Sequence, residues 1–161
     1  MFRVLFLCTG NSARSQIAEA LLNHDGAGRF EAASAGTEPA RVVNPWAVEV
    51  LAESGVRWNG HPPRSVDGLE HEPWDLVVTV CDDASETCPL FPAGPVVVHW
   101  GMADPAAVKG DDAATRSAFR ATLARLQRRV GALVNLPVER LSRFELEQRL
   151  GDIGAIGPET G

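Results

Sequence analysis

The chain has 161 residues, with 15 Lys or Arg against 21 Asp or Glu, for a net charge of −6. That length suits one domain around a single core, and the acidic balance excludes the broad basic field that nucleic acid or an anionic membrane surface requires. The first apolar run is about seven residues long, far short of the ~20 of a membrane span, and three cysteines cannot all be paired within one chain.

No small-residue cleavage site follows that run, so a cytoplasmic protein is expected, in which thiols stay reduced and serve catalysis or redox exchange. Phe2–Cys8 predicts the first strand, and Ile17, Ala18, Leu21 and Leu22 recur on one face of a helix over Ser15–Asn23. Phe30–Ala35 predicts a second strand. A helix over Pro45–Ser54 follows, with Asn44 as its cap, Pro45 as its first residue and Gly55 as its stop. Asp75–Val80 and Pro95–His99, both rich in valine, predict two more strands. The longest helix is expected over Asp111–Leu133, with Phe119, Leu123, Leu126 and Val130 on one stripe. The alternation of strand and helix predicts an α/β sandwich on a parallel sheet, with its ligand crevice at the carboxyl ends of the strands. Cys8, Cys81 and the segment after His99 all fall at such ends. Past this unit, residues 1–134, Val138, Leu141, Phe144, Leu146 and Leu150 mark a short amphipathic helix in a C-terminal extension, 135–161.

Cys8-Thr9-Gly10-Asn11-Ser12-Ala13-Arg14-Ser15 joins the first strand directly to the first helix. With an arginine six positions after the cysteine, the intervening N–H groups can curl around a tetrahedral anion while the guanidinium grips two of its oxygens. Gly10 and Asn11 tolerate the positive φ that such a nest needs. Ser12 and Ser15 offer hydroxyls to the sulfur, Ser15 can also cap the helix, and the field of the cradle is expected to lower the thiol pKa. The plainer alternative is a buried strand-end thiol beside a surface arginine.

Further along stand Ser34-Ala35-Gly36, Val43-Asn44-Pro45, Val78-Thr79-Val80-Cys81-Asp82, Cys88-Pro89 and His99-Trp100-Gly101, then Asp104-Pro105. With these motifs in this order, residues 2–133 resemble the thioredoxin-coupled arsenate reductases of the low-molecular-weight protein tyrosine phosphatase fold. The resemblance implies a three-layer sandwich whose four-stranded parallel sheet is flanked by helices. It assigns Cys8 as nucleophile, with Thr9 to Ser15 binding the substrate, Arg14 gripping the oxyanion and Asp104 as general acid. It also implies a relay in which Cys81 and then Cys88 exchange thiolates, leaving a disulfide for thioredoxin, with no bound cofactor or metal. Read without the resemblance, Asp104 is equally a turn residue before Pro105, and Cys81 and Cys88 a buried small hydrophobe and a surface thiol. Their spacing does not suit zinc. His99 reads as a core residue closing its strand, with tuning of Asp104 or the cradle as the alternative, and the segment from Asp82 to Cys88 as a helix that must open for Cys81 to reach Cys88.

Two departures from the pattern stand out. Asn11, Glu19 and Ser34 match positions that bind potassium in some family members, but Arg64 or Ser65 stands where those members have an aspartate, so weak or absent potassium dependence is expected. Ala106-Ala107 follow Asp104-Pro105, where tyrosine phosphatases usually carry aromatic residues. A phosphatase is the main rival function, and a non-enzymatic oxyanion sensor is the other.

Overall fold

Phe2–Cys8 forms strand β1 in the computed structural model, which describes residues 1–81 and 88–156. Val4 to Leu7 are wholly buried, as in a strand covered on both faces. β1 pairs in parallel with β2 (Phe30–Gly36) on one side and β3 (Leu76–Thr79) on the other, and β3 pairs in parallel with β4 (Val96–His99). The order β2-β1-β3-β4 means that the chain turns first to one side of β1 and then to the other. The carboxyl end of β1 is therefore the topological switch point, where sheets of this kind open a crevice. Cys8 is the last residue of β1, and Cys81 follows the end of β3 beside it.

Among the described residues four helices flank the sheet in a three-layer sandwich, as expected. Helix α1 (Arg14–Asp25) packs on β1 and β2, while α2 (Pro45–Glu53) meets α1 and α3 (Asp112–Val134). The Asn44 side chain caps α2 by accepting from the Trp46 N–H, and Asp111 caps α3 by accepting from the Ala114 N–H. In the extension, Ser142 and Glu145 form a capping box that starts α4 (Arg143–Gly154), which lays Leu146, Leu150 and Ile153 against β4 and α3. None of these helices is long and apolar enough to cross a membrane.

Three local expectations are corrected. Helix α1 starts at Arg14, so Ser15 lies inside it, and Ala13 in the cap position has no side-chain oxygen to offer. Of the two residues expected at positive φ, Asn11 has it (51°) and Gly10 does not. His99 is exposed, because β4 is an edge strand, and its Nδ1 lies 2.7 Å from the Thr79 hydroxyl. The expected helix and its opening over 82–88 fall almost wholly outside the described residues.

Candidate active site

The loop between β1 and α1 is built with its carbonyls turned outward. Those of Cys8, Thr9, Gly10 and Ser12 accept from the N–H groups of Thr37, Glu38, Ala40 and Asn44, at 3.2, 2.9, 2.8 and 2.8 Å. The Asn11 carbonyl takes the Gln16 amide at 3.2 Å, and that of Ala13 takes the Ile17 N–H at 2.9 Å. With all six carbonyls held away, the N–H groups of Gly10, Ser12, Ala13 and Arg14 have no acceptor among the described residues. Four free donors beside an uncapped helix N-terminus make an anion nest.

Gly36 lets this loop sit so close to β2. A Cβ there would lie 2.5 Å from the Thr9 carbonyl oxygen and 3.1 Å from the Asn11 N atom, both backbone atoms that cannot swing away.

Cys8 Sγ is buried at the floor of the nest, 2.8 Å from the Ser15 hydroxyl and 3.2 Å from the Asn11 N–H, which donates to it. The Asn11 amide in turn donates to Ser15 Oγ at 2.8 Å and to Ser34 Oγ at 2.9 Å. Ser34 donates to Glu19 Oε1 at 3.1 Å, and the same oxygen lies 3.0 Å from His61 Nε2. A continuous polar chain thus runs from the thiol to a partly exposed histidine. Gln16 braces it, donating to the Asn11 and His61 carbonyls and accepting from the Trp58 ring N–H.

The expected lowering of the Cys8 pKa is not what this geometry gives. Burial pushes the thiol up, and the hydrogen bonds from Ser15 and Asn11 oppose that without overcoming it. Arg14 is directed elsewhere: its Nη1 donates to the Met102 carbonyl at 2.9 Å.

Cys81 is buried at the neighbouring strand end, its Sγ 3.3 Å from the hydroxyl of Thr9, the residue that follows Cys8. Cys88 is half-buried, its thiol turned to the Pro89 carbonyl at 3.6 Å, and burial raises its pKa. Asp104 is exposed and caps the 3-10 turn Pro105–Ala107, its Oδ1 accepting from the Ala106 N–H at 2.9 Å. It lies two residues past Met102 on the loop that Arg14 holds.

The polar oxygens expected around potassium are occupied by N–H donors. Arg64 N–H donates to Asn11 Oδ1 at 3.1 Å and Arg64 Nε to the Ser34 carbonyl at 3.0 Å, while His61 takes Glu19. The residues present do not fit a bound alkali cation. The group facing Glu19 is His61, which with Gln16 was not among the expected site residues. A signal was present in Ser15, Gln16 and Glu19, three polar residues on the buried side of α1.

A sheet of this order, with a cysteine nest at its switch point and an arginine six residues on, defines a class of oxyanion-handling cysteine enzymes. The profile of the low molecular weight phosphotyrosine protein phosphatases matches residues 3–145, and the chain belongs to that family, within its arsenate-reductase branch. It is 39% identical over 117 residues to an arsenate reductase of Halalkalibacterium halodurans, covering 73% of this chain and 84% of the relative. The solved arsenate reductase of Archaeoglobus fulgidus is 36% identical, with a TM-score of 0.68 over 83% of this chain and 99% of that one. A thioredoxin-dependent arsenate reductase of Corynebacterium glutamicum is 28% identical, with a TM-score of 0.55 over 78% of this chain and 58% of that longer one.

Proposed function

We propose that the protein reduces arsenate to arsenite with three thiols, Cys8, Cys81 and Cys88, and that thioredoxin is the external reductant. The observation that carries this reading is a second buried thiol at the anion nest: Cys81 contacts Thr9, the residue next to Cys8. A phosphatase needs the nest and has no use for that thiol.

Arsenate enters with its oxygens on the free N–H groups of Gly10, Ser12, Ala13 and Arg14 and on the Arg14 guanidinium. The Cys8 thiol passes its proton to an oxygen of the bound arsenate as its sulfur attacks arsenic, one As–O bond breaks, and Asp104 supplies the proton with which that oxygen leaves as water. Arsenic is still pentavalent in this adduct. Cys81 then attacks Cys8 Sγ, so that an S–S bond forms while the S–As bond breaks and leaves its electron pair on arsenic. Trivalent arsenite departs. Cys88 attacks Cys81 and expels Cys8 as thiolate, and the dithiol of thioredoxin returns two electrons to the Cys81–Cys88 disulfide.

Likeness to the thioredoxin-dependent enzyme of C. glutamicum supports the choice of reductant. A phosphoryl group in the same nest would accept no electrons from sulfur and would pass to water, so weak phosphatase activity is expected as a by-product. The deciding assay supplies arsenate, thioredoxin, thioredoxin reductase and NADPH, and expects arsenite in step with NADPH oxidised. Turnover with glutathione or mycothiol systems but not with thioredoxin would replace the reductant. Failure with every thiol system would remove the reading.

A further inference from the structure

Between β4 and Asp104 the chain has no ladder of its own to hold it. Trp100 makes the last sheet contact, donating its N–H to the Thr79 carbonyl at 2.7 Å, and residues 101–104 then run free of regular structure. Two arginines hold the carbonyls of this stretch. Arg14 takes that of Met102, and Arg129 on α3 donates Nη1 to those of Trp100 and Gly101, at 2.9 and 3.3 Å.

Arg129 is 3% exposed and pairs with no carboxylate among the described residues. Its other terminal nitrogen, Nη2, donates to the carbonyls of Gly154 and Ile156 at 3.2 and 3.0 Å, at the negative end of helix α4. One guanidinium therefore ties the end of the extension to the start of the Asp104 loop. Trp100 repeats the link from the other side, its ring N–H donating to the Leu150 carbonyl at 3.0 Å. The approach at Gly154 is so close that an added Cβ would lie 2.8 Å from both the His99 carbonyl oxygen and the Trp100 ring.

We propose that α4 and Arg129 form a strut that positions the Asp104 loop, so that the C-terminal extension serves the chemistry at Cys8 without touching it. This rests on the reading of Asp104 as the acid. Arg14 is shared between two partners, the loop and the anion. Arg129 has no duty to the anion and keeps its hold throughout. Arg129 is accordingly a positioning residue, and a shift of about 1 Å in an acid it steadies is enough to cost on the order of 100-fold in rate.

The test compares Arg129→Gln and Gly154→Ala in wild-type and Asp104→Asn backgrounds, reading single-turnover arsenite release and, separately, affinity for inorganic phosphate. Each variant is expected to slow release about tenfold or more while leaving phosphate affinity within about twofold, and to add less than about twofold once Asp104 is gone. A loss of the same size in both backgrounds, or no loss from Gly154→Ala, overturns the strut. Should Arg129→Gln fail to fold, Gly154→Ala, which keeps the guanidinium, decides alone. If Asp104→Asn itself leaves the single-turnover rate intact, the acid assignment fails and the strut with it. If Asp104→Asn is slow but the losses multiply, only the strut fails.

Discussion

Arg14 Nη1 donates to the Met102 carbonyl at 2.9 Å, linking the anion nest to the loop of Asp104 across 88 positions of sequence. A planar fork can hold a carbonyl with one edge and two anion oxygens with another, whereas a lysine ammonium is a single point. Arg14→Lys is expected to weaken phosphate binding by about 1.5–3 kcal/mol, roughly 10- to 150-fold, the range for charge-assisted hydrogen bonds. Calorimetric titration with inorganic phosphate measures it, and wild-type affinity would take the guanidinium out of the nest.

The three thiols separate by what each variant retains. Cys8→Ser should abolish arsenate reduction and hydrolysis of p-nitrophenyl phosphate together. Cys81→Ser and Cys88→Ser should stop repeated reduction yet leave hydrolysis largely intact, since ester cleavage needs only the nest and its acid. Many turnovers from Cys88→Ser with thioredoxin as sole reductant would show that the relay has two members.

The pH dependence follows from the buried thiol. Burial raises the Cys8 pKa, and the Ser15 hydroxyl is the largest opposing influence. At neutral pH the anion-free enzyme then holds Cys8 protonated, and only the thiolate is alkylated. Iodoacetamide labelling of Cys8 should climb about tenfold per pH unit from about pH 7 to about pH 9 without levelling off. In Ser15→Ala, which removes a stabiliser of the thiolate, the curve should move to still higher pH. A plateau near neutrality in the wild type would mean that the thiol is already ionised.

The fold was legible because its signals are local: valine-rich runs, an Asn-Pro start and a long apolar stripe each act within about a dozen residues. The nest was legible for the same reason, since strand end, loop and helix are contiguous in Cys8 to Ser15. Long-range consequences were not. The Cys8 pKa was misjudged because burial of the thiol by distant packing outweighs the hydrogen bonds of its own loop, and the place of His61 beside Glu19 depends on how the loop from His61 to Arg64 folds back. An arginine on a helix ordinarily faces solvent, and Arg129 does not. Its burial depends on α4, whose docking no periodicity announces.

Potassium should have no effect on turnover. The Glu19, Ser34 and Asn11 oxygens that an alkali cation would bind already accept from His61 and Arg64. Replacing sodium by potassium at constant ionic strength should leave kcat and KM for arsenate unchanged, and a several-fold activation would show that these donors yield to the ion. Arg64→Asp, which removes the guanidinium and adds an oxygen ligand, is expected to create a potassium response where none existed.

Gly36 offers the sharpest test of the nest itself. Its missing Cβ is what allows β2 to lie against Thr9 and Asn11, and the atoms a methyl group would strike are backbone. The loop must then move outward, and the hydrogen bonds that Thr37 and Glu38 make to the Cys8 and Thr9 carbonyls must lengthen or break. Those bonds turn the carbonyls away from the anion, so their loss should rotate carbonyl oxygen into a site built for negative charge. Gly36→Ala is expected to destabilise the fold by about 1–3 kcal/mol, as overpacking does, and to lower phosphate affinity far more than that general loosening explains, by about 100-fold or greater. Urea unfolding and phosphate titration of the same preparation separate the two effects. A destabilised protein that still binds phosphate normally would show that the nest does not depend on the outward turn of its carbonyls.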